Sequence, residues 1–201
     1  MAEPLSVELI SLAKKGDPQA IEELVKQFRK PLYRYACSYL GNDFEAEDLT
    51  QEVLIKAIRA LPTFKGDSSI GTWIFRIMTN SCIDYHRKQT SHPVSYLNKL
   101  YGDEEEAFSI DIKDTRPQPS EELEQQELRS FIKKALRQLS PEHRVTVILH
   151  DLQGFKYQEI AEITKSSLGT VKSRLFYARQ ELKRVLGPLL QEEVSSNALP
   201  Q

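Results

Sequence analysis

The chain has 201 residues, 40% hydrophobic and 28% charged, the balance of a soluble globular protein with core enough for one ordinary domain or two small ones. Its two cysteines, Cys37 and Cys82, have no CxxC spacing, its apolar clusters are too short to span a bilayer, and its opening Met-Ala-Glu-Pro-Leu-Ser lacks a secretory pattern. Structural zinc, a disulfide framework and membrane insertion are therefore unsupported, a reducing cytoplasm is expected, and the net charge of −2 gives no hint of a polyanionic partner.

In chain order, residues from about Leu5 to Gln89 read as nearly continuous amphipathic helix, broken at Gly16-Asp17-Pro18, Gly41-Asn42-Asp43 and Pro62 to Asp67. Asp17 before Pro18 suits an N-cap followed by proline at the first helical position, and Asn42-Asp43 suits another cap. Four helices result, and they must pack on one another because none is apolar all round. In the third, Ala46, Leu49, Val53, Ala57 and Leu61 form a stripe to be buried. Asp48, Gln51, Glu52 and Ile55 share another face, readable as a solvated surface with one stray isoleucine or as a dock for a basic partner.

The fourth helix, about Thr72 to Arg87, places Ile74, Ile77, Met78, Ser81 and Tyr85 on one side. Arg76, Thr79, Asn80, Ile83 and Arg87 fall on the other, with Phe75 and His86 nearby. Interleaved cations, amides and rings suit unstacked nucleic acid, since bases stack on rings while cations hold the backbone. The polar loop from Phe64 to Ser69 ahead of it has the size and chemistry to admit a flipped base. Trp73 taken alone reads more simply as core.

Residues from about Thr90 to Ser120 hold Pro93, Pro117 and Pro119 and no sustained period, the pattern of a linker. Between Tyr101 and Glu127, ten acidic residues face only Lys113 and Arg116, a local −8 that leaves the rest of the chain at +6. Helical patterning resumes at Glu121, with a start at Ser140-Pro141-Glu142, a stop at Gly154, an end at Gly187-Pro188 and a disordered tail from about Ser195. No strand signal occurs. An all-α fold is expected: two small helical domains joined by an acidic flexible linker, the C-terminal one containing a helix-turn-helix.

That motif runs from Tyr157 to Ile163, bends at Lys165 to Gly169 and continues from Thr170 to Arg179. At 100° per residue, Leu168, Val171, Leu175, Ala178 and Leu182 make one apolar stripe. Gly169, Ser173, Phe176, Tyr177 and Gln180 lie opposite, with Lys172, Arg174 and Arg179 on the flanks. Docked by its stripe, such a helix turns hydroxyl, amide and ring groups toward base edges and cations toward phosphates. Seven bases against three acids from Gly154 to Leu186 fit that partner.

Three separated motifs together resemble the extracytoplasmic-function (ECF) group of bacterial sigma factors. Phe64-Lys-Gly-Asp-Ser-Ser-Ile-Gly-Thr-Trp-Ile-Phe-Arg-Ile-Met-Thr-Asn80, followed by Asp84-Tyr-His-Arg-Lys88, is similar to the DNA-melting and promoter-reading segment. Gly16-Asp-Pro-Gln-Ala20 and Glu45-Ala-Glu-Asp-Leu-Thr-Gln-Glu52 resemble the opening and polymerase-binding segments. Leu139-Ser-Pro-Glu-His-Arg144, Tyr157-Gln-Glu-Ile-Ala161 and Gly169-Thr-Val-Lys-Ser-Arg174 resemble the C-terminal promoter-binding domain.

The resemblance implies that Asp48, Gln51, Glu52 and Ile55 bind core RNA polymerase, at the clamp helices of its largest subunit. It implies that Phe64, Ser68, Ser69, Trp73, Arg76, Asn80 and Arg87 hold the minus-ten element and its melted non-template strand. Lys172, Ser173, Phe176 and Tyr177 would read the double-stranded minus-thirty-five element, with Arg174 and Arg179 on phosphates or bracing the fold. The corresponding regions are 1–89, 90–120 for the linker, 121–190, and 191–201 for the tail. The acidic linker would thread polymerase channels lined for polyanions, or serve as a solvated tether. An anti-sigma protein is the implied regulator, and no cofactor, metal or catalytic residue is implied.

Two departures accompany the likeness: Tyr177 stands where many relatives carry a base, and Tyr85-His86 replaces more generic residues. The basic third domain of larger sigma factors is missing, as in the ECF group. The rival is a stand-alone regulator using residues 1 to 89 to dimerise or bind a ligand, which predicts polymerase-independent operator binding and leaves the Asp48 and Trp73–Asn80 surfaces without a task. An enzyme is disfavoured, because His86, His92, His143 and His150 lack ligand spacing and neither a nucleophile elbow nor a P-loop occurs.

Overall fold

The computed structural model describes residues 5–91 and 119–196, and among these every regular element is helical. The first module contains α1 (Val7–Lys14), α2 (Pro18–Leu40), α3 (Asp43–Ala60), a short 3-10 turn (Leu61–Thr63) and α4 (Ile70–Ser91). The second contains α5 (Pro119–Gln138), α6 (Pro141–Val147) continuing as a π-helical stretch (Ile148–Leu152), then α7 (Tyr157–Thr164) and α8 (Leu168–Ser196).

The caps form where the residue types demand them. Asp17 Oδ1 accepts from Ala20 N at 2.8 Å ahead of Pro18, and Asn42 Oδ1 accepts from Glu45 N at 3.0 Å. Between them, α2 ends at Gly41, whose φ of 77° is the left-handed conformation that glycine adopts without strain. Ser140 caps α6 by accepting from His143 N, with Pro141 at the first helical position. Pro31 sits inside α2, where its ring removes one backbone donor; Phe28 and Leu32 on either side are buried and hold both halves of the helix in the core.

The third helix buries Ala46, Leu49, Val53, Ala57 and Leu61, as its periodicity predicts. Helix α4 departs from its two-sided reading. Phe75 and Thr79 are buried, the latter 3.1 Å from the Tyr35 hydroxyl, because α4 is packed by α2, α3 and α7 together. It also extends beyond Thr72–Arg87 to Ile70–Ser91. The expected stop at Gly187-Pro188 is overturned: α8 continues to Ser196. The predicted linker falls almost wholly, and the tail partly, outside the described residues.

The two expected modules also meet each other. Helix α2 touches α5 and the π-helical stretch, and α4 packs on α7, so one contiguous apolar cluster runs from Ala13 through Ile74 and Leu139 to Ala178.

Candidate nucleic-acid and polymerase interfaces

On α3 the structure brings Asp48, Gln51, Glu52 and Ile55 onto one exposed face, with Ile55 49% exposed on a helix whose opposite stripe is closed. The face is internally braced. Gln51 Nε2 donates to Glu47 Oε1 at 3.3 Å, and Lys56 reaches Glu52 at 2.7 Å and the Ser81 hydroxyl of α4 at 3.5 Å. An exposed aliphatic side chain among carboxylates suits a cationic partner more than free solvent.

The loop before α4 is anchored from below. Phe64 is only 7% exposed, its ring 5.3 Å from that of Trp73, so this ring lies under the loop rather than on its outer surface. Lys14, at the end of α1, donates to the Phe64 carbonyl at 2.6 Å. Ser69 is the N-cap of α4: its hydroxyl accepts from Thr72 N at 3.0 Å and pairs with the Thr72 hydroxyl at 2.8 Å. Ser68 is half-buried beside it, and Gly66 takes φ 83° at the loop's crest.

One and two turns along, Trp73 and Arg76 are half-buried, the Arg76 Nε lying buried without a hydrogen-bond partner, while Asn80 and Arg87 are exposed. Arg87 also pairs with Asp84 at 2.9 Å. Amides, hydroxyls and guanidinium groups thus line one path from the loop along α4, with aromatic support beneath. Such a path can receive an extruded base and hold its backbone.

In the second module, Val171, Leu175 and Ala178 close onto Ile160 and Ile163 of α7. Lys165 takes φ 50° at the turn, where Ser166 N donates to Ala161 O at 3.0 Å, and Ser167 caps α8 by accepting from Thr170 N. Leu168 does not join the predicted stripe. It is 43% exposed because the helix begins there, one turn short of the α7 contact.

Lys172, Ser173, Phe176 and Tyr177 all face outward, and the last two rings meet edge-on at 5.4 Å. Arg174 is half-buried. Arg179 makes two hydrogen bonds to Asp151, Nε to Oδ2 at 3.1 Å and Nη2 to Oδ1 at 2.5 Å, and that bonding holds its guanidinium above its ordinary range. Of the two roles left open for Arg179, this conformation displays the bracing one.

Arg144, a residue of the Leu139–Arg144 motif whose task the sequence left unread, is buried at 6% exposure. Its guanidinium donates to Leu136 O (2.9 Å), Arg137 O (2.7 Å) and Leu139 O (3.1 Å), and across the modules to Tyr39 O at 3.0 Å. Burial lowers its pKa. A signal existed in its place after a helix-start triplet, but its acceptors are backbone carbonyls, which no residue identity marks.

Among the described residues no group of histidines, cysteines and carboxylates could hold a metal, and no helix is long and apolar enough to cross a membrane. Residues 24–92 match the model of Sigma-70 region 2, and residues 132–182 that of Sigma-70, region 4. The ECF RNA polymerase sigma-E factor of Escherichia coli is 32% identical over 193 residues, covering 94% of this chain and 99% of that one. The RNA polymerase sigma-H factor of Pseudomonas aeruginosa is 29% identical over 187 residues, covering 92% and 95%.

Among solved structures, the sigma factor RpoE from Bartonella quintana, in complex with the anti-sigma factor NepR, is similar with a TM-score of 0.61 at 28% identity, covering 83% of this chain and 96% of that one. CnrH, in complex with the cytosolic domain of CnrY, shares the fold with a TM-score of 0.67 at 22% identity, covering 90% and 96%. With both regions present in order and a relative aligned almost end to end, the chain belongs to the ECF group of RNA polymerase sigma factors.

Proposed function

We propose that this chain binds core RNA polymerase through Asp48, Gln51, Glu52 and Ile55, and directs it to promoters with two separate DNA-reading surfaces. The α3 face carries the reading, since it sets the half-exposed Ile55 among Asp48, Gln51 and Glu52 on one exposed helix face. Residues 1–89 and 121–190 are the working modules, 90–120 the connector and 191–201 a tail.

Ser68, Ser69, Arg76, Asn80 and Arg87 receive the melted non-template strand, with Phe64 and Trp73 supporting the loop from beneath. Lys172, Ser173, Phe176 and Tyr177 read the minus-thirty-five duplex, while Arg174 and Arg179 serve phosphates or the fold. Each correct base contact contributes about 1–3 kcal/mol, and attachment to one polymerase makes the two modules' contributions act together. Trapping an extruded base offsets unstacking of a few kcal/mol.

The protein catalyses no step itself, acts in the cytoplasm, and is held in check by an anti-sigma protein. The complex of the related Bartonella quintana RpoE with the anti-sigma factor NepR supports that control. The test is run-off transcription with core polymerase on the promoter of its own gene and a promoter library, with Asn80→Ala and Asp48→Ala/Glu52→Ala alongside. Chain-dependent initiation, lowered by both variants but with core binding lost only in the second, is expected. Silence on every promoter together with tight operator binding by the free chain would make it an ordinary regulator.

A further inference from the structure

Helix α8 sets two adjacent rings on its outward side. Phe176 and Tyr177 are each 58% exposed, while Leu175 before them and Ala178 after them are closed in the core. The rings meet edge-on, 5.4 Å apart and inclined by 78°. Each limits the other's rotation, so a contact made by the pair loses little side-chain freedom on binding. Phe176 also walls a shallow groove with Tyr157 and Leu175, bordered by Lys172 and Lys183.

The arginines of this helix are engaged or turned aside. Arg179 is bonded to Asp151, Arg184 pairs with Glu181 at 2.6 Å, and Arg174 is half-buried on the flank. A forked guanidinium reaching O6 and N7 together is the commonest side-chain contact that selects guanine. No arginine of α8 is placed beside the rings to make it. The Ser173 hydroxyl already donates to Thr170 O at 3.0 Å. Gln180, exposed one turn further on, carries a carboxamide, which matches the N6 and N7 atoms of adenine. Against a ring pair, the complementary group on a base edge in the major groove is the C5-methyl of thymine.

We infer that Tyr177, together with Phe176, makes the minus-thirty-five reading of this chain selective for thymine, whose C5-methyl group seats against the ring pair. The inference rests on the assignment of α8 to the minus-thirty-five duplex made above, and deepens it by naming the base. Tyr177 is the specificity-determining residue, and its ring rather than its hydroxyl does the reading. Attraction to phosphates is left to Lys172 and Lys183, which border the groove, so base selection at this turn falls to apolar contact. Removing one methyl group from such a contact weakens binding by up to about fourfold.

The test uses the full chain bound to core RNA polymerase, with a duplex library randomised across the minus-thirty-five element and the selected binders sequenced. The wild-type holoenzyme should enrich thymine, on one strand or the other, at the position whose preference changes when Tyr177 is replaced. Uracil in place of that thymine pairs identically but lacks the methyl, and should weaken binding by up to about fourfold. Tyr177→Phe keeps the ring and should keep both the thymine preference and the uracil penalty. Tyr177→Arg should abolish that penalty and enrich guanine about tenfold or more. A gained preference of that kind cannot come from a misfolded helix.

Enrichment of a G·C pair by the wild-type chain at that position would overturn the inference. So would uracil bound as tightly as thymine, or a thymine preference lost in Tyr177→Phe. Absence of any sequence selection by the wild-type holoenzyme would sink the minus-thirty-five assignment itself, and this inference with it.

Discussion

Replacing Arg144 by methionine keeps the aliphatic volume and removes four hydrogen bonds of 2.7–3.1 Å to carbonyls of Leu136, Arg137, Leu139 and Tyr39. Bonds from a charged donor contribute about 1.5–3 kcal/mol each, but returning a guanidinium to water recovers several kcal/mol. A net loss of about 3–4 kcal/mol follows, which is roughly 6–16 °C in midpoint for a chain of this size. Arg144→Lys keeps the charge but cannot fork toward four acceptors, so it should lose about half as much. The assay is urea and thermal unfolding followed by far-ultraviolet circular dichroism. Because one apolar cluster crosses both modules, the wild-type chain should melt in a single transition, whereas Arg144→Met should separate it into two. A methionine variant within 1 kcal/mol of wild type, melting as one unit, would refute the assignment of this guanidinium as a clasp.

Lys14→Met removes the 2.6 Å support under the Phe64 carbonyl and should shorten open-complex lifetime several-fold while leaving core binding intact, as single-turnover and pull-down assays would read. Lys172→Ala, losing an exposed cation, should reduce the salt slope of holoenzyme binding by about 1, whereas Arg179→Ala should lower region 4 stability through Asp151 with little change in slope. His86 titrates below its ordinary value, through burial first and the Arg144 charge second. Its contribution to folded-state stability is therefore complete above the ordinary histidine value and is lost as pH falls through its lowered pKa, which unfolding midpoints against pH would report. Cys37, pushed up to about 12 by burial, and Cys82, raised by burial, should resist alkylation at pH 8 until the chain unfolds, by mass spectrometry.

The helices were legible because their signals are local. Asp17-Pro18, Asn42 and Ser140-Pro141 state their caps outright, and the α3 stripe is buried residue for residue as its period requires. Leu168 misled because periodicity fixes a residue's angle around the helix but not whether a neighbouring helix reaches that turn. Pro188 misled because a proline's local cost does not by itself end a helix. Thr79 and Phe75 were misplaced for a related reason: α4 has three packing partners, one of them α7 from the other module. The Arg144 and Lys14 bonds end on backbone carbonyls, and Tyr39 is 105 positions from its donor. Neither a period nor a motif encodes such an acceptor.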